Sequence, residues 1–185
     1  MTVQPQRSEN ERADSDIGFV LAEPTLRDGP ELWRMARESE VLDVNSPYSY
    51  TLWCRDFGAT SIVARDREDP ERHDAGRACG FVSGYLRPDA PDTLFVWQVA
   101  VDRDRRGRGL ARLMLDGLAE RLVPRGARAL EATVTPGNTA SAALFGSFAR
   151  DHGAELTRTP LFGPDLLPGG HDPETLFRIG PLGRA

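Results

Sequence analysis

The sequence predicts a mixed α/β fold of the α+β kind: a single domain with a mostly antiparallel central sheet flanked by helices. Three observations predict it. Strand-like and helix-like apolar patterns follow one another in the order β-α-α-β-β-β-α-β-α-β-β, with no internal repeat. Thr93–Val101 is a nearly continuous apolar run, as a buried central strand requires. The 185 residues, 39% apolar and 28% charged, are enough for one hydrophobic core and too few for two comfortable ones.

The elements are predicted in order. Residues 1–17 read as a disordered tail and 18–182 as the domain. Met1–Asp16 is polar and acidic, without the apolar core of a secretion signal, so a cytoplasmic location is expected. Phe19–Glu23 is a short strand. Thr25, with Asp28 three residues on, opens a helix that runs to about Ser39, with Leu32, Met35 and Ala36 as its apolar stripe. A second helix spans Tyr48–Phe57. Ser61–Arg65 and Arg77–Leu86 are strands, separated by a charged turn over 66–76. The turn Pro88–Asp92 leads into the apolar strand. Leu110, Leu113, Met114, Leu118 and Leu122 have helical spacing. Ala129–Val134 is a strand, Asn138–Asp151 a helix and Glu155–Thr157 a short strand. Pro160–Pro173, rich in Pro and Gly, reads as a loop, and Thr175–Ile179 closes the sheet.

Composition narrows the function. No stretch approaches the ~20 apolar residues of a membrane span. Cys54 and Cys79 form neither a disulfide framework nor a metal pair, which suits a reducing compartment, and His73, His152 and His171 are scattered; no metal is expected. All 23 basic residues are arginine, which excludes a Schiff-base lysine and the lysine of a P-loop. A net charge of -5 argues against nonspecific nucleic-acid binding. It leaves room for an anion held by a local basic cluster.

Such a cluster lies between the apolar strand and the next helix. Arg103, Arg105, Arg106 and Arg108 fall within six residues, and Gly107 and Gly109 allow a tight turn that aims consecutive N–H groups at one point. The helix that follows adds the partial positive charge of its N-terminus. Strand, glycine turn and helix start together form a pyrophosphate cradle. The pattern is not GxGxxG, because the third glycine position is Arg112.

Arg106-Gly-Arg-Gly109-Leu-Ala111 resembles the R/Q-x-x-G-x-G/A signature of the GNAT acetyltransferases, and Asn138-Thr-Ala-Ser141-Ala-Ala-Leu144-Phe145 resembles their second signature. The resemblance implies acetyl-CoA as co-substrate. Arg106, Gly107, Arg108, Gly109, Leu110 and Ala111 would grip its pyrophosphate, and the helix opened by Asn138, with Ser141 and Phe145, would border the pantetheine. Val99 and Val101 would pair with the pantetheine by backbone. The N–H of Trp97 or Gln98 would donate to the thioester carbonyl, an oxyanion role; the Trp97 side chain also reads as core. Phe145 stands where many members carry a tyrosine acid, so that role passes to another group. Thr93 stands near the place of a glutamate base in some members, which moves the base elsewhere.

Four further blocks are similar to the L-2,4-diaminobutyrate acetyltransferases of ectoine biosynthesis: Val41–Tyr50, Gly84–Val101, Glu131–Pro136 and Pro168–Glu174. This resemblance covers roughly residues 18–182. It implies acetyl transfer to the γ-amine of L-2,4-diaminobutyrate and a homodimer. Acyl transfer needs that amine neutral, which from a lysine-like pKa of ~10.4 costs about 4–5 kcal/mol at pH 7. Carboxylates to bind the amines and a proton acceptor are therefore expected. Asp43 and Glu174 are the candidates for the amines, with Asn45, Tyr48 and Trp97 around them and Glu174 or His171 as acceptor through water. Asp43 and Asn45 also read as turn formers, Glu174 as a rim residue and His171 as a surface loop residue. Another small primary amine as acceptor, or a catalytically silent acyl-CoA-binding module, stays open.

Overall fold

Asp28 does what its spacing to Thr25 predicts: its carboxylate accepts from the Thr25 N–H at 2.7 Å and the Thr25 hydroxyl at 2.9 Å. The computed structural model describes residues 18–39, 41–66, 77–167 and 172–183; the expected tail over 1–17 and His171 lie outside them. A 3-10 turn, Leu26–Asp28, precedes helix α1, Gly29–Ser39, and Ser46 caps helix α2, Pro47–Asp56, accepting from the Ser49 N–H. The two helices touch at Gly29. A Cβ there would stand 2.6 Å from the Thr51 hydroxyl and 2.8 Å from the Thr51 Cα, so only glycine permits this crossing. Buried Asp28 also takes both arms of Arg65, at 2.9 and 3.0 Å, which ties the start of α1 to the sheet.

Among the described residues the sheet has seven strands: β1 Phe19–Ala22, β2 Ile62–Asp66, β3 Ala78–Arg87, β4 Ala90–Val101, β5 Ala129–Val134, β6 Glu155–Phe162 and β7 Glu174–Gly180. Their spatial order is β1-β2-β3-β4-β5-β7-β6. Every neighbouring pair is antiparallel except β4 and β5. That parallel pair needs a crossover, which helix α3, Leu110–Leu122, supplies; helix α4, Thr139–Asp151, follows β5. Among the described residues no helix is long and apolar enough to cross a membrane.

Most boundaries shift by a residue or so from the sequence reading, and three of the differences bear on the sheet. Asp66 still pairs with Phe19 as the last residue of β2. The turn expected over Pro88–Asp92 shrinks to Pro88-Asp89, because Ala90 already pairs with Arg87. The third is β6, which runs to Phe162 through the stretch expected to be loop. Pro160 breaks a strand only where its missing N–H is needed, and β6 is an edge strand with β7 as its one neighbour in the sheet.

Two cores cover the two faces. Against α3 and α4 the sheet buries Val82, Leu94, Val96, Leu130 and Ile179, meeting Leu110, Met114, Leu118 and Phe148. Under α1 and α2 a smaller cluster joins Phe81 and Ala100 to Leu32, Met35, Tyr50 and Cys54. Each such side chain contributes roughly 1.5–3 kcal/mol. Burial first, then the nearby Asp28 charge, pushes the Cys54 thiol up to about 11, so it stays protonated and packs as an apolar group.

Candidate active site

The site begins where β4 leaves β5. Their pairing runs from Thr93–Ala129 to Val96–Ala132 and stops, while β5 continues on β7 as far as Val134–Thr175. Residues from Trp97 to Val101 therefore keep β3 on one side and have no sheet partner on the other among the described residues. The register on β3 slips at the same place: Ser83 faces Gln98, yet Gly84 faces Val96, so Trp97 is the extra residue of a bulge. Its half-buried ring packs on Trp53 at 4.3 Å and Tyr50 at 6.5 Å between centroids.

The wedge opens into a cleft of about 390 Å³. Val99 and Val101 line one wall, Asn138, Ser141 and Leu144 the other, and Arg106, Gly107, Gly109, Leu110 and Ala111 the end. Gly107 and Gly109 have φ of 76° and 75°, a left-handed conformation costly for a residue with a Cβ. Nothing lies within 4 Å of where either Cβ would be, so the turn faces open space. Gly109 is also the N-cap of α3, which places that helix's free N–H groups at the cleft. The residues present fit a diphosphate group on a long thin chain.

The arginines divide. Arg105 is tied back to Asp66 at 2.7 Å and Asp104 at 2.8 Å. Arg106 lines the cleft and donates from Nε to the Val101 carbonyl at 3.1 Å. Arg108 lies over the Phe19 ring at 4.7 Å and does not line the cleft. At the root of the loop buried Asp102 accepts from Arg34, which also holds Glu31 and Glu38. Burial pushes the Glu31 carboxyl up, but Arg77 and Arg34 together bring it below its ordinary value.

Asn138 caps α4, its Oδ1 accepting from the Ser141 N–H at 3.0 Å. Phe145 is buried in the core against Phe177. Gln98 is buried too; its side chain turns to the α2 side of the sheet and donates from Nε2 to the Asp43 carbonyl at 2.9 Å. The link places the loop of Asp43 and Asn45 beside the bulge. Asn45 is half-buried, with its N–H 3.5 Å from the Tyr50 hydroxyl, whereas Asp43 and Tyr48 are exposed. Glu174 is half-buried at the start of β7. Counting along the ladders from Val96–Ala132 and Val134–Thr175 sets it level with Val99, across the wedge. Glu131, in a block singled out by the sequence, is occupied elsewhere: it is buried between Arg87 and Arg178. Sequence reasoning missed Ser39 and Leu42, which complete the cleft where α1 ends, and Arg34. No local motif marks them, since each acts through a distant contact.

A family model described as the acetyltransferase (GNAT) family matches residues 28–149. The L-2,4-diaminobutyric acid acetyltransferase of Streptomyces coelicolor is 57% identical over 161 residues, 86% of this chain and 91% of that protein. That of Halalkalibacterium halodurans is 40% identical over 90% and 84% of the two chains. A solved structure, the diaminobutyrate acetyltransferase EctA of Paenibacillus lautus with its substrate L-2,4-diaminobutyric acid and coenzyme A, superimposes with a TM-score of 0.80 at 38% identity, covering 90% of this chain and 97% of that one. With the split sheet, the glycine turn and these relatives together, the chain belongs to the acetyltransferase (GNAT) family and, within it, to the L-2,4-diaminobutyric acid acetyltransferases.

Proposed function

We propose that the protein transfers acetyl from acetyl-CoA to the γ-amino group of L-2,4-diaminobutyrate, giving γ-N-acetyl-L-2,4-diaminobutyrate, the step before ring closure to ectoine. The observation that carries the reading is the bond from Gln98 to the Asp43 carbonyl, which holds the Asp43 loop against the bulged strand, the chain neighbours Leu42 and Val99 both lining the cleft. Acetyl-CoA would enter with its diphosphate on the Gly107–Gly109 turn and its pantetheine along Val99 and Val101. The thioester then reaches the bulge, where the N–H of Trp97 or Gln98 donates to its carbonyl oxygen as charge develops.

The acceptor arrives as a zwitterion with a second ammonium. Asp43 and Glu174 bind the amino groups, with Asn45, Tyr48 and Trp97 shaping the pocket. Glu174, or His171 three residues before it, takes the γ-ammonium proton through water. The neutral amine attacks the thioester carbon, the C–S bond breaks, and the proton that the nitrogen sheds as the amide forms is taken up by the departing CoA thiolate. The assay is mass spectrometry of the product from acetyl-CoA and 2,4-diaminobutyrate, fragmented to locate the acetyl group; an α-acetyl product, or none, defeats the reading. The same reading makes the protein a cytoplasmic homodimer, supported by the family resemblance and by the two buried free thiols, Cys54 and Cys79. Light scattering at assay concentration reads the oligomeric state.

A further inference from the structure

Gln98 carries an amide where the fold alone would favour an apolar side chain. It is 4% exposed, on a central strand, two residues from Ala100 in the core under α1 and α2. One end of the amide is accounted for: Nε2 donates to the Asp43 carbonyl, 55 residues away in sequence. That carbonyl can only accept, so it selects the nitrogen end and fixes which way the amide points. The other end is not: Oε1 is buried and has no hydrogen-bond partner among the described residues. Ser83, its register neighbour on β3, does not supply the donor, because the Ser83 hydroxyl is itself buried without a partner. A buried acceptor left without a donor is destabilising, and native proteins hold few of them. The orphaned Oε1 is a cost that a methionine of the same length would not carry.

We propose that Gln98 is the positioning residue of the acceptor site. Its carboxamide is a strut between the bulged strand, whose backbone faces the thioester, and the loop whose Asp43 binds the acceptor. The inference rests on the acceptor reading given under Proposed function. The strut joins that loop to β4 directly, and it leaves from the residue next to the bulge. It thereby sets the position of Asp43 relative to the acyl carbon, and it does so without touching either substrate through its side chain.

The test uses Gln98→Met and Gln98→Glu in the full chain. Methionine keeps the length, removes the donor and removes the orphaned Oε1. Glutamate keeps the shape and replaces the donating nitrogen by oxygen. For Gln98→Met the expected result is a melting temperature equal to or above that of the wild type. Its KM for 2,4-diaminobutyrate should rise tenfold or more, with the KM for acetyl-CoA within twofold of the wild type. Gln98→Glu should show the same split and serves alone if the methionine variant does not fold. A merely structural role predicts a lower melting temperature with both KM values moved together. That outcome, or an unchanged KM for 2,4-diaminobutyrate in either folded variant, overturns the proposal. The two readings fail separately. A wild type that leaves 2,4-diaminobutyrate unmodified sinks the acceptor assignment, whereas a wild type that acetylates it and a Gln98→Met that matches it sink only the strut.

Discussion

The guanidinium of Arg34, in the middle of α1, binds both carboxylate oxygens of Asp102, at 2.9 and 3.1 Å. Asp102 follows the last residue of β4 and opens the turn that leads to Gly107 and Gly109, and it is 8% exposed. One ion pair thus joins the helix that leads to the Asp43 loop with the glycine turn proposed to hold the diphosphate. Replacing Arg34 by Met should cost about 1.5–3 kcal/mol of stability, the range for a hydrogen bond to a charged group. It should also raise the KM for acetyl-CoA several-fold. Urea denaturation and initial-rate kinetics read the two effects; a stability loss with an unchanged KM would separate the bridge from the cradle.

Gly109 tests the cradle directly. At φ 75° a β-branched residue is strained, and its side chain would project from the turn that faces the cleft. Gly109→Val should fold and lose acetyl-CoA affinity tenfold or more by calorimetric titration. Wild-type affinity in the folded variant would remove the diphosphate assignment.

Salt separates charge from backbone geometry. Exposed charges are screened over about 8–10 Å at physiological ionic strength. Replacing Arg103 and Arg108 by Gln should flatten the salt dependence of acetyl-CoA affinity, measured from low to high salt. A wild type whose affinity does not respond to salt would reduce these arginines to a solvated turn.

Asp43→Asn and Glu174→Gln are nearly isosteric and remove charge without opening a cavity. Each should keep acetyl-CoA binding and lose about ten- to hundredfold in kcat/KM for 2,4-diaminobutyrate. The variant that also loses a limb of the pH–rate profile identifies the base. Two variants with wild-type rates at every pH would refute the acceptor site.

Glu31 makes an acid-stability prediction. Its carboxyl is lower in the folded chain than the ordinary 4.5, burial being outweighed by Arg77 and Arg34. The unfolded chain then binds the proton first, so this contribution is complete above about pH 4.5 and is lost as pH falls through the lower folded value. Melting temperatures of Glu31→Gln should fall less steeply with acidification below that pH than those of the wild type.

The glycine turn and the helix start were legible because Arg106–Ala111 is contiguous: turn and helix cap follow one another along the chain. The order of elements was legible for the same reason, each period being local. What stayed hidden acts across distance. Nothing near Arg105 shows that Asp66 ties it back, and nothing near Gln98 shows that it reaches Asp43. The bulge at Trp97 is a mismatch between two strands and is absent from either one alone. The reach of β6 past Pro160 depends on its standing at the sheet edge, which only topology decides.

The early end of the β4–β5 ladder at Val96–Ala132 has a thermodynamic consequence. From Trp97 onward one side of β4 is half of a ladder, and a chain bearing amides can complete it. In the proposed binding mode the co-substrate would act as a missing piece of the sheet, bound by the folded state and not by the unfolded one. Thermal stability becomes a gauge of co-substrate supply: about 2.7 kcal/mol of added stability at a hundredfold excess over Kd, and about 4.1 at a thousandfold. A cell rich in acetyl-CoA would hold this enzyme folded more firmly than a starved one, with no change in the polypeptide.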